Sequence, residues 1–331
     1  MTPLTALLAD IGGTNIRLAI SSGLGSPLQC IKAMRCDDFA HLADAVRDYL
    51  DFLADQHAPL PGLFCMAVAA PVHADEIRLT NNPWRFNRLD LSNTLGMPVL
   101  VLNDFEAQGW CLLHPQLLQV HWLQKPAISS THTDLWPKAL RTIAGPGTGF
   151  GAASLSVGGD VISSEPGHAA FAPVDETEQA LLHQLWKWFP RVTTEHLISG
   201  PGIANIYCAL SCIAGQPVEP HAAPDAAEIV KMADYDPVAK QTLRCFSRMM
   251  GNICGDIALI KGSRGGFVLS GNLIQKLGSH FDEQAFVHAF TNKGNFSDWC
   301  KAVPLACLRD EFPGLTGCAV FAHRASNPLS T

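Results

Sequence analysis

Three glycine-rich segments follow short apolar stretches of the chain, at residues 10–15, 145–151 and 265–272. Because glycine has no Cβ, the backbone N–H groups of such turns can approach a phosphate closely. The hydroxyl groups of Thr14 and Thr148 add further donors. A single Gly-Gly turn is usually only a hairpin, but three such turns favour phosphate binding. None has the Walker sequence or the G-x-G-x-x-G pattern that opens a helix, which excludes the two commonest nucleotide-binding folds.

Asn103-Asp104 follows the apolar stretch 99–102, and open α/β sheets place ligands at the carboxyl ends of their strands. One interpretation is that the pair caps the next helix. The alternative is that Asp104 is the general base for a sugar hydroxyl. An aspartate at a helix N-terminus is a weak base, which suits phosphoryl transfer because its loose transition state depends more on positioning than on proton removal.

Other polar residues extend this candidate site. Glu165 and His168 are three positions apart, and Glu195 lies in Thr-Thr-Glu-His. No additional ligand spacing supports a zinc site, whereas carboxylate and imidazole groups suit the hydroxyls of a bound sugar. Asp10, at the start of the first glycine turn, could hold Mg²⁺ through water, because Mg²⁺ sheds its hydration shell reluctantly.

The composition limits the class of protein. The 331 residues, 47% of them hydrophobic, suffice for two domains with well-filled cores, and the formal net charge of -7 argues against a nucleic-acid-binding surface. The eleven cysteines include no Cys-x-x-Cys, which indicates reduced thiols. No apolar run reaches the ~20 residues of a membrane helix, and residues 1–10 are too short and uncharged for a signal peptide. We therefore expect a soluble, cytoplasmic protein that binds neither membranes nor nucleic acid.

The elements that must position these residues occur in two similar rounds, each a glycine-turned hairpin followed by further strands and helices. Strands that alternate with helices predict an α/β fold with a largely parallel sheet in each half. The predicted strands are 4–9, 16–20, 63–69, 99–102, 140–144, 266–269 and 303–308, and the principal helices are 39–53, 176–189, 202–213, 225–233, 237–261 and one from 314. Residues 115–138 are predicted to connect the halves, and residues 327–331 to be frayed.

Taken together, these motifs resemble those of bacterial ATP-dependent glucokinases. The resemblance spans nearly the whole chain in the same order. The segments that carry it are 10–15, 102–105, 145–149, 165–173, 199–202 and 313–315. It implies the α/β fold of the actin, hexokinase and Hsp70 superfamily, with two actin-like (ribonuclease H-like) domains and a cleft between them. The small domain would be 1–114, completed by the C-terminal helix 310–331, and the large domain 115–309.

The resemblance also implies a role for each candidate residue. Asp104 would be the general base for transfer of the ATP γ-phosphoryl group to the 6-hydroxyl of glucose, a step of glycolysis. The implied hexose-binding residues are Asn103, Asp104, Glu165, His168 and Glu195. The implied ATP-binding residues are Asp10, Gly12, Gly13, Thr14, Asn15, Gly147, Thr148, Gly149 and Gly271. The implied cofactors are ATP and Mg²⁺, with Asp10 as the Mg²⁺-holding residue, and the implied assembly is a homodimer.

Three positions depart from the family's usual pattern. Pro166 stands where a glycine is usual, Asn272 replaces the second glycine of the adenosine turn, and Pro146 stiffens the second phosphate loop. Proline at 166 also biases Glu165 towards extended conformations. These changes bear on sugar preference and nucleotide affinity more than on the reaction class.

Four other functions are compatible with part of the pattern. A sugar-responsive repressor of the same superfamily would need a DNA-binding segment before the first turn, where nine residues precede Asp10. An actin-like or Hsp70-like ATPase would not need the polar set at 165, 168 and 195. A kinase for mannose or N-acetylmannosamine remains an alternative, although residues 169–177 lack the cysteines of zinc-bearing relatives. A catalytically silent paralogue would not need Asp104.

Overall fold

The structure is a computed structural model that describes residues 4–79, 82–126 and 135–326. These residues form two compact units. Unit 1 comprises the described residues of Met1–Leu118, Gly159–Ser163 and Asp310–Thr331, and unit 2 those of Gln119–Gly158 and Ser164–Arg309. The functional domains expected from the sequence, 1–114 with 310–331 and 115–309, stay a prediction. The segment 327–331, expected to be frayed, and part of the predicted connection, 127–134, lie outside the described residues.

The described strands and helices occur in runs of one to four elements of one kind, so the predicted alternation of strands with helices holds for only part of the chain. In chain order they are β1 (Ala6–Ile11), β2 (Asn15–Ser21), β3 (Gln29–Arg35), α1 (Leu42–Asp55), β4 (Leu63–Val68), β5 (Glu76–Arg78), β6 (Arg85–Asn87), α2 (Arg88–Leu95), β7 (Val99–Asn103), α3 (Asp104–Cys111), β8 (Val120–Gln124), β9 (Arg141–Pro146), β10 (Phe150–Leu155), β11 (Val161–Ser164), α4 (Glu176–Leu185), α5 (Gly200–Ile213), α6 (Ala226–Met232), α7 (Pro237–Lys261), β12 (Gly266–Leu269), α8 (Asn272–Leu277), α9 (Glu283–Thr291), α10 (Ser297–Lys301), β13 (Leu305–Leu308) and α11 (Pro313–Ser326).

The sheet of unit 1 has the order β3-β2-β1-β4-β7. β1 and β2 form the predicted antiparallel hairpin, and β1, β4 and β7 run parallel. β4 is buried at every position, as expected for a central parallel strand covered on both faces. One face carries a core that includes Tyr49 of α1, and the other a core that includes Trp110 of α3 and Leu315 of α11.

The larger sheet has the order β11-β10-β9-β12-β13-β8. β9 and β10 are an antiparallel hairpin, and β9, β12 and β13 run parallel. In both sheets the first strand of a hairpin lies between its partner and the next parallel strand, which confirms the two similar rounds. β8 pairs antiparallel with β13, so the prediction that 115–138 only connects the halves was wrong there. All five residues of β8 are partly buried, and the strand therefore lacks the alternating pattern that marks a strand in sequence.

The helix boundaries follow capping chemistry. α7 begins after Asp236, whose carboxylate accepts the N–H groups of Val238 and Ala239, and it ends at Gly262 with φ 72°, as predicted. The first helix was predicted to follow Asp37-Asp38, but the capping residue is His41. Among the described residues, no helix has both the length and the apolar character to cross a membrane.

Unit 1 depends on close packing of α11 against α3, the helix that begins with Asp104. A Cβ atom on Gly317 would lie 1.7 Å from the carbonyl oxygen of Ala107. We therefore expect Gly317→Ala to force the helices apart and to lower the free energy of unfolding by about 1–3 kcal/mol, measured by urea denaturation. Ala325→Ser, at an exposed position of the same helix, is the matched control. Equal stability of the two variants would contradict the packing argument.

Candidate active site

The first glycine turn connects β1 to β2 in unit 1. The N–H of Gly12 donates to the carbonyl of Asn15 at 2.9 Å, and the carbonyl of Thr14 accepts the N–H of Cys36 at 2.9 Å. These bonds hold the turn at its two ends. Gly12, Thr14 and Asn15 are exposed and Gly13 is half-buried. The turn is therefore fixed by its own backbone while its outer surface stays accessible to a ligand.

Asp10 lies near the end of β1, directly across the hairpin from Arg17. Its carboxylate is 27% exposed, with Oδ2 3.9 Å from the guanidinium of Arg17. Burial raises the pKa of the Asp10 carboxyl, and the positive charge of Arg17 opposes part of that rise. Within the described ranges, no three His, Cys, Asp or Glu residues cluster as a metal site.

Asn103 ends β7 and caps α3. Its Oδ1 accepts the N–H groups of Phe105 at 3.0 Å and Glu106 at 3.3 Å. The Glu106 carboxylate accepts the N–H of Asn103 at 3.4 Å and closes a capping box. Burial raises the pKa of the Glu106 carboxyl. The side-chain nitrogen of Asn103 is 3.5 Å from the carbonyl of Ala70. The capping interpretation is thus confirmed for Asn103.

Asp104 is the first residue of α3 rather than its cap. Its Oδ1 accepts the N–H of Phe105 at 2.9 Å, and the side chain is half-buried. This bond fixes the orientation of the carboxylate at the N-terminus of the helix, where the helix dipole stabilises negative charge. Asn103 and Asp104 thus share the N–H of Phe105 as a donor.

The second glycine turn joins β9 to β10 in unit 2. The N–H of Gly147 donates to the carbonyl of Gly149 at 2.8 Å, and the carbonyl of Gly147 accepts the N–H of Gly200 at 2.8 Å. A Cβ atom on Gly147 would meet no atom within 4 Å, and both Gly147 and Thr148 are exposed. The turn is thus anchored to the first residue of α5 and has open space on its outer side.

Glu195 and His168 lie together beside this turn. Each belongs to a short 3₁₀ turn, Thr194–His196 and Pro166–His168, and Nδ1 of His168 is 3.3 Å from Oε1 of Glu195. A Cβ atom on Gly149 would lie 2.8 Å from Oε2 of Glu195. The structure thus brings two predicted sugar residues together and places the carboxylate of one of them, Glu195, beside a predicted phosphate loop. Glu165 is exposed and immediately precedes the turn at Pro166–His168.

Two residues beside Glu195 received no individual role from the sequence. A Cβ atom on Gly167 would lie 3.1 Å from Oε2 of Glu195 and 2.4 Å from the carbonyl of Phe150. The hydroxyl of Ser199 caps α5 and also donates to the carbonyl of Glu195 at 2.7 Å. The Ser-Gly-Pro-Gly sequence at 199–202 is a signal for a helix start, but it does not reveal the bond to Glu195.

The third glycine segment contains the strand predicted at 266–269 and a short turn after it. β12 occupies Gly266–Leu269, so only Ser270 and Gly271 form a turn before α8. A Cβ atom on Gly271, which has φ 110°, would lie 2.6 Å from the carbonyl of Pro146. A Cβ atom on Gly145 would lie 1.8 Å from the carbonyl of Ser270. These glycines bring the carboxyl ends of β9 and β12 together, so that Gly271 lies beside the second glycine turn.

Comparison with known proteins identifies the family of this arrangement. The glucokinase family model matches residues 7–325. A glucokinase of Hahella chejuensis (strain KCTC 2396) is 36% identical over 321 residues, which cover 95% of each chain. The solved structure of a glucokinase from an Antarctic psychrotroph has a TM-score of 0.84 at 30% identity, covering 97% of this chain and 99% of that one.

A more distant solved structure shares the fold alone. It is a ROK family glucokinase from Streptomyces griseus, in complex with glucose and AMPPNP, with a TM-score of 0.62 at 16% identity over 96% of this chain and 98% of that chain. These matches confirm the predicted α/β fold with two actin-like domains.

Proposed function

The chain belongs to the glucokinase family, and from that premise we propose that it transfers the γ-phosphoryl group of ATP to the 6-hydroxyl of glucose. The products are glucose 6-phosphate and ADP. The observation that supports this proposal best is that, within unit 2, the Glu195 carboxylate lies both beside His168 and against Gly149 of the second glycine turn. A sugar-binding carboxylate and a phosphate-binding loop then share one rigid support, as a kinase for a small sugar requires.

In this proposal, the glucose-binding residues are Asn103, Asp104, Glu165, His168 and Glu195. The carboxylates accept hydrogen bonds from the sugar hydroxyls. When Nδ1 of His168 carries the proton towards Glu195, at 3.3 Å, its Nε2 remains an acceptor for a hydroxyl. The Oδ1 atom of Asn103 is committed to the cap of α3. Its side-chain NH2 group is therefore the part proposed to contact the sugar.

Asp104 is proposed as the general base that accepts the proton of the attacking 6-hydroxyl. The N–H of Phe105 fixes its carboxylate at the start of α3. That setting favours the ionised form and makes the group a weak base. A weak base suffices here, because the transition state of phosphoryl transfer is loose and a correctly oriented hydroxyl is the larger requirement.

The ATP phosphates are proposed to bind the backbone of the turns at 12–15 and 147–149, with the hydroxyls of Thr14 and Thr148 as additional donors, and the adenosine to lie near Gly271. Bound Mg²⁺ would offset the charge of the phosphate oxygens. Asp10 suits an ion held through water, because its carboxylate is partly exposed and 3.9 Å from its nearest cation, Arg17. We further propose a homodimer in the cytoplasm, where glucose 6-phosphate enters glycolysis.

A coupled kinase assay over a hexose panel, with NMR analysis of the product, tests the proposed reaction. We expect glucose to have the highest kcat/KM and its product to carry phosphate on O6, while ATP without sugar is hydrolysed slowly. A higher kcat/KM for mannose or N-acetylmannosamine would assign a different hexose. Rapid sugar-independent hydrolysis would favour a plain ATPase.

Asp104→Asn tests the general base. Asparagine retains an Oδ1 acceptor for the N–H of Phe105 but cannot take up a proton, so we expect kcat to fall about a hundredfold or more while the fold persists. Glu106→Gln, two residues further along α3, keeps the capping-box acceptor and is the matched control. A near-normal kcat for Asp104→Asn would remove this residue from the proposed mechanism.

Substitutions at Gly147 and Gly149 test separately the nucleotide binding and the glucose binding proposed for one turn. A side chain on Gly147 projects into open space, so Gly147→Val should leave stability and glucose affinity intact. It should raise the Kd of AMPPNP roughly tenfold, which corresponds to a loss of about 1.4 kcal/mol. Gly149→Ala should instead displace the Glu195 carboxylate and weaken glucose binding. Calorimetry with each ligand measures both effects, and the opposite pattern would contradict the assignment of the loop.

A further inference from the structure

Ser199 makes two hydrogen bonds of different character from one hydroxyl group that is 2% exposed. The N–H of Gly202 donates to the hydroxyl oxygen at 2.9 Å, which is the ordinary bond of a helix N-cap. The hydroxyl itself donates to the carbonyl of Glu195 at 2.7 Å. The second bond satisfies no group of α5. It connects the cap of the helix to the backbone of a residue proposed to bind sugar.

The two ends of Glu195 are tied to the same structural support. Its carbonyl is held by Ser199, and Gly200, the next residue, donates its N–H to the carbonyl of Gly147 at 2.8 Å. Its carboxylate lies against Gly149, two residues along the same turn. The segment 195–200 therefore contacts the turn 147–149 at two points, through the Glu195 carboxylate and through the N–H of Gly200. The bond from Ser199 holds the backbone of Glu195 between these two points.

The flanking carbonyl groups are held differently. The carbonyl of Thr194 accepts the backbone N–H groups of Leu197 and Ile198, at 3.1 and 2.9 Å. The carbonyl of His196 accepts the side-chain N–H of Asn205 at 2.9 Å. Three successive carbonyls are thus held by different donors, and the donor for Glu195 is a side chain that substitution can remove without altering the backbone.

We propose that Ser199 is a positioning residue for glucose binding: its hydroxyl fixes the backbone of Glu195 so that the carboxylate meets the sugar. This inference rests on the proposed role of Glu195 in binding glucose. The competing interpretation is that Ser199 only caps α5. The two differ in what they require of the side chain, because capping needs an acceptor for Gly202, whereas positioning needs a donor to Glu195.

Three substitutions separate the two roles. Thr retains the hydroxyl. Ala and Gly both remove it, but Gly is a far better N-cap residue than Ala. We expect Ser199→Ala and Ser199→Gly to raise the Kd of glucose by similar factors, roughly fivefold, as for the loss of one hydrogen bond. Ser199→Thr should stay within about twofold of the unaltered protein, and the Kd of AMPPNP should change little throughout. Isothermal calorimetry gives both constants, and thermal unfolding gives Tm for each variant.

A cycle with Glu195→Gln tests whether Ser199 acts through Glu195. We expect Glu195→Gln to weaken glucose binding and Ser199→Gly to add little further loss in the double variant, because both changes affect the same contact. Fully additive losses would overturn the proposal, as would a normal glucose Kd for Ser199→Gly or glucose affinities that follow Tm across the three variants. A normal glucose Kd for Glu195→Gln would be a different failure, since it would remove the proposed sugar role of Glu195 and the positioning role with it.

Discussion

The Glu195 carboxylate depends on two glycines that have no room for a side chain. Cβ atoms on Gly149 and Gly167 would lie 2.8 and 3.1 Å from its Oε2. Because neither position carries a side chain, the β9–β10 turn and the 3₁₀ turn at Pro166–His168 can both lie against the one carboxylate. The same contact holds Glu195 within 3.3 Å of His168. Replacing either glycine with alanine would therefore disturb groups proposed to bind two different substrates.

In unit 1, the position of the Asp104 carboxylate depends on a helix terminus. Asn103 caps the first turn of α3 and shares the N–H of Phe105 with Asp104, whose carboxylate lies in the field of the helix dipole. α3 is in turn held by α11, whose Gly317 approaches the carbonyl of Ala107. A segment near the end of the chain thus determines the position of a residue proposed for catalysis. This dependence agrees with a mechanism in which orientation contributes more than base strength.

The sequence predicts local structure where a single strong signal sets it. The bounds of α7 follow from Asp236 and Gly262, and the hairpin of β1 and β2 follows from its glycine turn. β8 has no such signal, because its burial is uniform and partial. In the third glycine segment the strand 266–269 was predicted correctly, but sequence cannot distinguish a glycine that binds a ligand from one, such as Gly271, that admits another backbone. Similarly, the residue types at 168 and 195 suggest a site, but their 3.3 Å contact depends on long-range packing.

The departures of this chain from the usual glucokinase pattern fall where the backbone does not require glycine. Pro166 begins a 3₁₀ turn, a position that suits the fixed φ of proline, whereas the next residue, Gly167, would clash with the carbonyl of Phe150 if it carried a Cβ atom. In the third turn, Gly271 has φ 110° and approaches Pro146, whereas Asn272 is an exposed residue that begins α8. Each glycine that the geometry requires is present. Proline at 166 and asparagine at 272 therefore leave intact the close backbone contacts that Gly167 and Gly271 allow.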